Sequence, residues 1–289
     1  MHSTMTQETA GRLVAPSHQP SLAEVGQPPL PAMALRGLSK RFGDKVAVNE
    51  VTLTVPVGSF YGLVGPNGAG KTTTISMAVG LLRPDTGTSR IFGVDVWKDP
   101  LEAKALVGVM PDGMVMPERL TGRELLTYLG ELRGLGTESV RTRVNDLIDV
   151  LGLHGAEQTL IAEYSAGMRK KIVLATALLH APSLLILDEP LEAVDPVSAA
   201  TIKLILQRFV DSGGSVVLSS HVMALVEQMC DHVAIIDKGT VAAAGPLDEV
   251  RGNRSLESAF VELVSGRPVD AIDLAWLDAG PDPVHEPAP

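Results

Sequence analysis

Between residues 32 and 265 the chain alternates short aliphatic runs with amphipathic stretches of helical length. The runs at 184–187, 216–219 and 232–236 are almost continuously apolar, the pattern of strands buried on both faces. Residues 34–38 and 46–55 predict strands of a small antiparallel sheet, and 89–92 predicts another strand. Residues 60–65 and 107–111 predict two further buried strands. Apolar spacing and length predict helices at 72–82, 121–133, 139–151, 165–180, 198–210 and 222–229. Lys238 and Gly239 predict a turn into a final short strand. Alternation of this kind implies an α/β fold, a mainly parallel sheet with helices on both faces. The helices between 121 and 180 have no strand among them. They predict an all-helical part inserted at about 112–182.

The ends read differently. Residues 1–31 are rich in Ser, Thr, Gln and Pro without apolar period, and predict a disordered tail. Residues 266–289 are rich in Pro and Asp and predict a second loose tail, with a possible short docked helix at 271–277. No run of the ~20 apolar residues needed to cross a bilayer is present, since His180, Pro182 and Ser183 break the most hydrophobic stretch at 172–187. Lys and Arg number 24 against 34 Asp and Glu, a net charge of −10 that argues against nucleic acid as the main partner. Cys230 is the single cysteine, so no internal disulfide can form, and its apolar-periodic setting predicts a core residue.

One stretch carries chemistry that the pattern alone does not. GPNGAGKTT, from Gly65 to Thr73, fits G-x-x-x-x-G-K-[ST] between a predicted strand and a predicted helix. Gly65, Gly68 and Gly70 let backbone N–H groups close on phosphate oxygens, with Pro66, Asn67 and Ala69 completing the loop. The helix that starts near Lys71 adds its positive end. Lys71 is expected to reach the β- and γ-phosphates and the Thr72 hydroxyl to hold Mg²⁺, with Thr73 following. The alternative is a glycine-rich turn that merely caps a helix.

The run 184–190 drives four aliphatic residues into Asp188 and Glu189. Adjacent carboxylates at the end of a buried strand are costly unless a cation or substrate uses them. Ligands of open parallel sheets sit at the carboxyl ends of strands, so Asp188 can share the Mg²⁺ of Thr72. Glu189, alternating to another side, is placed to orient or deprotonate water. Ser165 can cap the following helix, with Ala166, Gly167 and Met168 in its first turn, and such an N-terminus suits a phosphate. His221 follows the strand at 216–219.

Taken in order, these features resemble the nucleotide-binding subunit of an ABC transporter, over roughly residues 33–265. GPNGAGKT looks like the Walker A loop and LLILDE like Walker B. YSAGM stands where the family usually has LSGGQ, EAVD ends at Asp195 in the D-loop position, and His221 takes the switch-histidine position. Phe42 sits where an aromatic ring stacks on adenine. Three departures stand out. Ala166 and Met168 replace Gly and Gln, a variant similar to drug and polysaccharide exporters. Asp112 stands where the family usually has Gln. LEAVD differs from the commoner TNGLD.

The resemblance implies a P-loop NTPase core that binds ATP and Mg²⁺ between two cassettes packed head to tail. Ser165 to Met168 of one copy would face nucleotide on the loop of the other. Glu189 would activate water and His221 contact the γ-phosphate, with Asp112 near Mg²⁺ or its water. The partners implied are a second cassette, expected to be a second copy of this chain, and a separate transmembrane permease. The permease would hold the cassette on the inner face of the membrane. The segment 114–122 is a candidate docking loop for it, or a plain surface loop. Two other readings stand beside this one: a soluble cassette acting on ribosomes or DNA, and a regulatory cassette that binds ATP and barely hydrolyses it. Neither a second cassette nor a long heptad run supports the former.

Overall fold

The computed structural model describes residues 30–265. Of the two predicted tails, residues 1–29 and 266–289, including the helix expected at 271–277, lie outside the described residues. The strands are β1 (Met33–Phe42), β2 (Lys45–Val55), β3 (Phe60–Val64), β4 (Thr86–Ile91), β5 (Val94–Asp95), β6 (Val107–Met110), β7 (Leu184–Asp188), β8 (Ser215–Ser220), β9 (His232–Asp237) and β10 (Thr240–Pro246). The helices are α1 (Lys71–Ala78), α2 (Pro100–Leu106), α3 (Gly122–Leu132), α4 (Thr137–Val150), α5 (Ala166–Leu178), α6 (Pro196–Asp211), α7 (Met223–Met229), α8 (Leu247–Arg251) and α9 (Leu256–Ser265).

Two sheets form. β2, β1, β4 and β5 make an antiparallel sheet, and β10-β9-β3-β8-β7-β6 a six-stranded one. In the latter only β9 with β10 runs antiparallel. Period two explains why its strands read as unbroken apolar runs. Val64, Leu185, Leu187, Val216 and Leu218 face one core, with α5, α6 and α7 residues. Leu63, Leu184, Ile186 and Val217 face the other, with α1 and the antiparallel sheet. Both faces are buried, so both alternate positions are apolar through the middle of these strands, and buried polar residues come only at the ends, at Asp188, Ser215, Ser219 and Ser220.

The predicted helix at 72–82 stops at Ala78. Gly80 takes a φ of 77°, and the N–H groups of Leu81 and Leu82 turn back to Ser76 O. That left-handed glycine ends the helix although the apolar run continues. The helix expected to reach His180 ends at Leu178, and Ala181, with φ 54°, precedes Pro182. Three predicted features recur more closely. Thr121 starts α3 with a capping box to Glu124, α3, α4 and α5 follow one another without a named strand between them, and Lys238-Gly239 leads into β10. The short elements β5, α2 and α8, together with α9, were not anticipated from the pattern. Cys230 is buried, and burial pushes its thiol up, as a core residue requires.

Gly108 sets the contact between β6 and α5. A Cβ there would lie 2.1 Å from Ala177 O, a backbone atom that cannot step aside. Gly108→Ala should therefore cost about 1–3 kcal/mol by forcing α5 off the sheet, read as a lowered melting temperature.

His180, at the end of α5, donates from Nε2 to Val107 O at 3.0 Å, while its Nδ1 is buried without a partner. Burial, and then the charges of Arg133 and Arg143, lower the imidazole from 6.5 to about 4. The folded state holds it neutral, and the unfolded chain protonates first. Its contribution to stability is present above about pH 6.5 and falls away as pH drops toward about 4. Melting curves across that window should show His180→Gln losing less stability on acidification than the wild type.

Candidate active site

Parallel register brings the site together. Val64 pairs with Ser220, Asp188 with Ser219, and Met110 with Leu187. The residues that follow those strand ends therefore emerge along one edge of the sheet. They are the 65–73 loop, Glu189, His221 and Asp112. They border a single cleft of about 460 Å³, together with Phe42, Lys45, Ala47 and Glu192.

The loop wraps the start of α1. Gly70 precedes the helix with φ 106°, and a Cβ on it would lie 2.5 Å from Ala47 O, so only glycine fits. Gly65 is similarly pressed, 2.2 Å from Ile236 O. Pro66, Asn67, Gly68, Gly70, Thr72 and Thr73 border the cleft, while Ala69 is buried beneath it. Lys71 is 7% exposed, and its Nζ donates to Gly65 O at 2.8 Å and Pro66 O at 3.4 Å. The ammonium is thus held inside its own loop, 3.7 Å from Glu189 Oε1.

Asp188 and Glu189 do point apart, for a reason beyond strand alternation. β7 ends at Asp188, and Glu189 enters the left-handed region with φ 47°, a strained conformation for a residue with a Cβ. Five contacts hold it, one of them the Glu192 N–H donating to its carbonyl at 3.3 Å. Its N–H donates to Ser219 Oγ at 3.0 Å and its carbonyl accepts from Lys170 Nζ at 2.8 Å. Its carboxylate meets Lys71 on one oxygen and His221 Nδ1, at 3.1 Å, on the other.

Asp188 is 1% exposed. Its Oδ1 accepts from Ser219 Oγ, and its Oδ2 is buried without a hydrogen-bond partner. An orphaned carboxylate oxygen is expensive unless a cation completes it. Mg²⁺ fits this donor set by its chemistry, because Asp188 supplies a hard oxygen without a hydrogen-bond partner, buried one residue before the cleft-lining Glu189, and Thr72 borders that cleft with a hydroxyl. Among the described residues no group of three or more His, Cys, Asp or Glu is arranged to hold a metal alone. The remainder of such a shell falls to phosphate and water oxygens.

Phe42, at the end of β1, is 49% exposed at the cleft, and Lys40 Nζ lies 5.8 Å from its ring centre. Asp112 borders the cleft half-exposed and lies 3.8 Å from Lys170 Nζ.

The 165–168 group stands elsewhere, outside the cleft border. Ser165 caps α5 by accepting from Met168 N at 3.2 Å. Ser165 and Ala166 are exposed, Gly167 is buried and Met168 packs partly on the core. A Cβ on Gly167 would lie 2.6 Å from Asp195 Oδ2, so the α5 turn rests on the start of α6. Asp195 caps α6, and the amides of Ser198 and Val197 help hold its carboxyl below the usual range.

Sequence reasoning missed Lys45, Ala47 and Glu192 on the cleft border, and Ser219 and Lys170 behind Glu189. Ser219 had a weak signal, a polar residue inside an apolar strand beside a carboxylate-bearing one. Lys170 had none, because its carbonyl partner is not visible in sequence.

With that geometry in view, the similarities to known proteins are informative. The ABC transporter family pattern matches residues 48–192, which include the loop, Asp188 and Glu189. A daunorubicin/doxorubicin resistance ATP-binding protein of Streptomyces peucetius is 39% identical over 225 residues, spanning 78% of this chain and 68% of that protein. A linearmycin resistance ATP-binding protein of Bacillus subtilis is 35% identical over 229 residues, 79% of this chain and 74% of that protein. The solved structure of an ATP-binding subunit of an ABC transporter superposes with a TM-score of 0.75 at 30% identity, over 80% of this chain and 99% of that one. No described helix is long and apolar enough to cross a membrane. Matched by the family pattern over half its length and by these relatives over most of it, the chain belongs to the ABC transporter family, as one of its ATP-binding subunits.

Proposed function

We propose that the chain binds and hydrolyses ATP to drive export through a separate membrane permease. One observation carries this reading: Lys71 and the α1 N-terminus face Glu189 and His221 across a single cleft, with the orphaned oxygen of Asp188 at the same strand edge. Residues 32–265 form the cassette, with the helical part at about 112–182 inserted in it.

The 65–73 loop cradles the phosphates with its amides, and Lys71 pairs with their β- and γ-oxygens. Mg²⁺, held by Thr72 and Asp188, would offset charge on the phosphate oxygens, with Asp112 near it or its water. Glu189 accepts a proton from, or orients, the attacking water. His221, hydrogen-bonded to the other oxygen of that carboxylate, fixes its direction and contacts the γ-phosphate. Phe42 offers a π-face to adenine.

Ser165 to Met168 lie off the cleft of their own chain at a helix N-terminus, with Ser165 and Ala166 exposed. That placement suits a grip on nucleotide held by a second copy packed head to tail. Hydrolysis then requires closure of the pair, which a permease can use. Relatives named for daunorubicin/doxorubicin and linearmycin resistance support the reading of an exporter of small molecules, and the permease would hold the cassette on the inner face of the membrane.

Glu189→Gln keeps the shape and removes the base. Purified protein should bind ATP, lose at least ~100-fold in turnover and accumulate as an ATP-bound dimer on a sizing column. Unchanged turnover would mean that Glu189 takes no part in hydrolysis, and a wild type without turnover would favour the regulatory reading. Phe42→Ala should weaken ATP binding by about 1–3 kcal/mol in an equilibrium titration, while Phe42→Tyr stays near the wild type.

A further inference from the structure

Glu189 adopts a backbone conformation it would not take alone, and its carboxylate can aim at water only while that conformation lasts. On the N–H side the support is Ser219, from the neighbouring strand. On the carbonyl side the turn's own Glu192 N–H donates at 3.3 Å, and Lys170, from α5, adds the shorter bond at 2.8 Å and the only one from another element. The Lys170 side chain is 21% exposed, and its Nζ also lies 3.8 Å from Asp112 Oδ1. One ammonium therefore ties three segments: the turn after β7, the loop after β6, and α5.

The origin of that ammonium matters. α5 is capped by Ser165, and Lys170 stands five residues on from the cap, about 7.5 Å along the axis of a regular helix. Its opening turn rests against Asp195 and Ser198 through Gly167, in direct contact with the start of α6. A displacement of the α5 N-terminus is carried along a rigid rod to the carbonyl of Glu189. Lys170 Nζ contacts no reacting atom, only a backbone oxygen and a carboxylate.

We propose that Lys170 is a positioning residue for hydrolysis. It holds Glu189 in its left-handed turn and reports to it the engagement of the α5 N-terminus with the partner copy's nucleotide. This rests on the ATP-hydrolysing, head-to-tail reading above. Asp112 serves here as the counter-charge that keeps the lysine at its post. Lys170 does not border the cleft formed around its chain's own loop, so affinity and turnover should separate when it is changed.

The full chain is compared with Lys170→Met, which keeps the stem and removes the charge and donors, and with Lys170→Arg, which retains both. ATP with Mg²⁺ is the probe, in equilibrium titration for affinity and active fraction, and in steady-state turnover at several protein concentrations. Lys170→Met should bind with stoichiometry and affinity within about twofold of the wild type and lose roughly ten- to a hundredfold in kcat per active site. Its Hill coefficient for ATP should fall toward one, and Lys170→Arg should recover most of the rate. Turnover by Lys170→Met within about twofold of the wild type, or loss of binding in step with turnover, would overturn the proposal. A folding defect would appear as a reduced active fraction, and failure of Lys170→Arg to recover the rate in folded protein would also overturn it. A wild type that neither binds nor hydrolyses ATP would instead remove the functional reading on which this rests.

Discussion

Everything at the candidate site depends on the parallel register of β3, β8, β7 and β6. Those strands are buried on both faces, so their side chains are committed to two cores and cannot slip by one residue without exchanging each core's residues for the other's. With the register locked, four strand ends stop at one edge, and within two residues of each end the chain borders the same cleft, at Pro66, His221, Glu189 and Asp112. The energy that fixes the site is therefore mostly the burial of Leu, Ile and Val far beneath it. The polar residues at the edge decide what that rigid platform can hold.

The polar edge is arranged so that each charge has a limited set of partners. Lys71 lies among carbonyls of its own loop and one carboxylate oxygen of Glu189. Glu189 divides its two oxygens between Lys71 and His221. Asp188 is satisfied on one oxygen and open on the other. Anion, cation and proton acceptor are thus distributed over separate groups, which phosphoryl transfer to water demands. The backbone strain at Glu189 belongs to the same economy, because a regular strand would send its carboxylate into the core.

Much of this was legible in the sequence. The strands β6 to β9 read directly from apolar runs, and the 65–73 loop, Asp188, Glu189 and His221 from residue type and spacing. The boundary errors have local causes. α1 ended early at Gly80 and α5 near Ala181, where the backbone turns left-handed while the apolar pattern continues. β5 is a two-residue strand and α8 a five-residue helix, too short for a period to register.

Glu192, Lys45 and Ala47 come to the cleft from segments whose own spacing says nothing of phosphate, and Lys170 meets a backbone carbonyl that no side-chain pattern encodes. The sequence by itself determined the class of fold, the phosphate loop and the identity of the acidic pair, because these rest on periodicity and on residue types at short range. Only the tertiary structure decided which way Glu189 faces, which oxygen of Asp188 is left open, and that Ser165 to Met168 stand apart from the cleft. Those outcomes depend on register between strands distant in sequence and on single backbone dihedrals, which local pattern does not constrain.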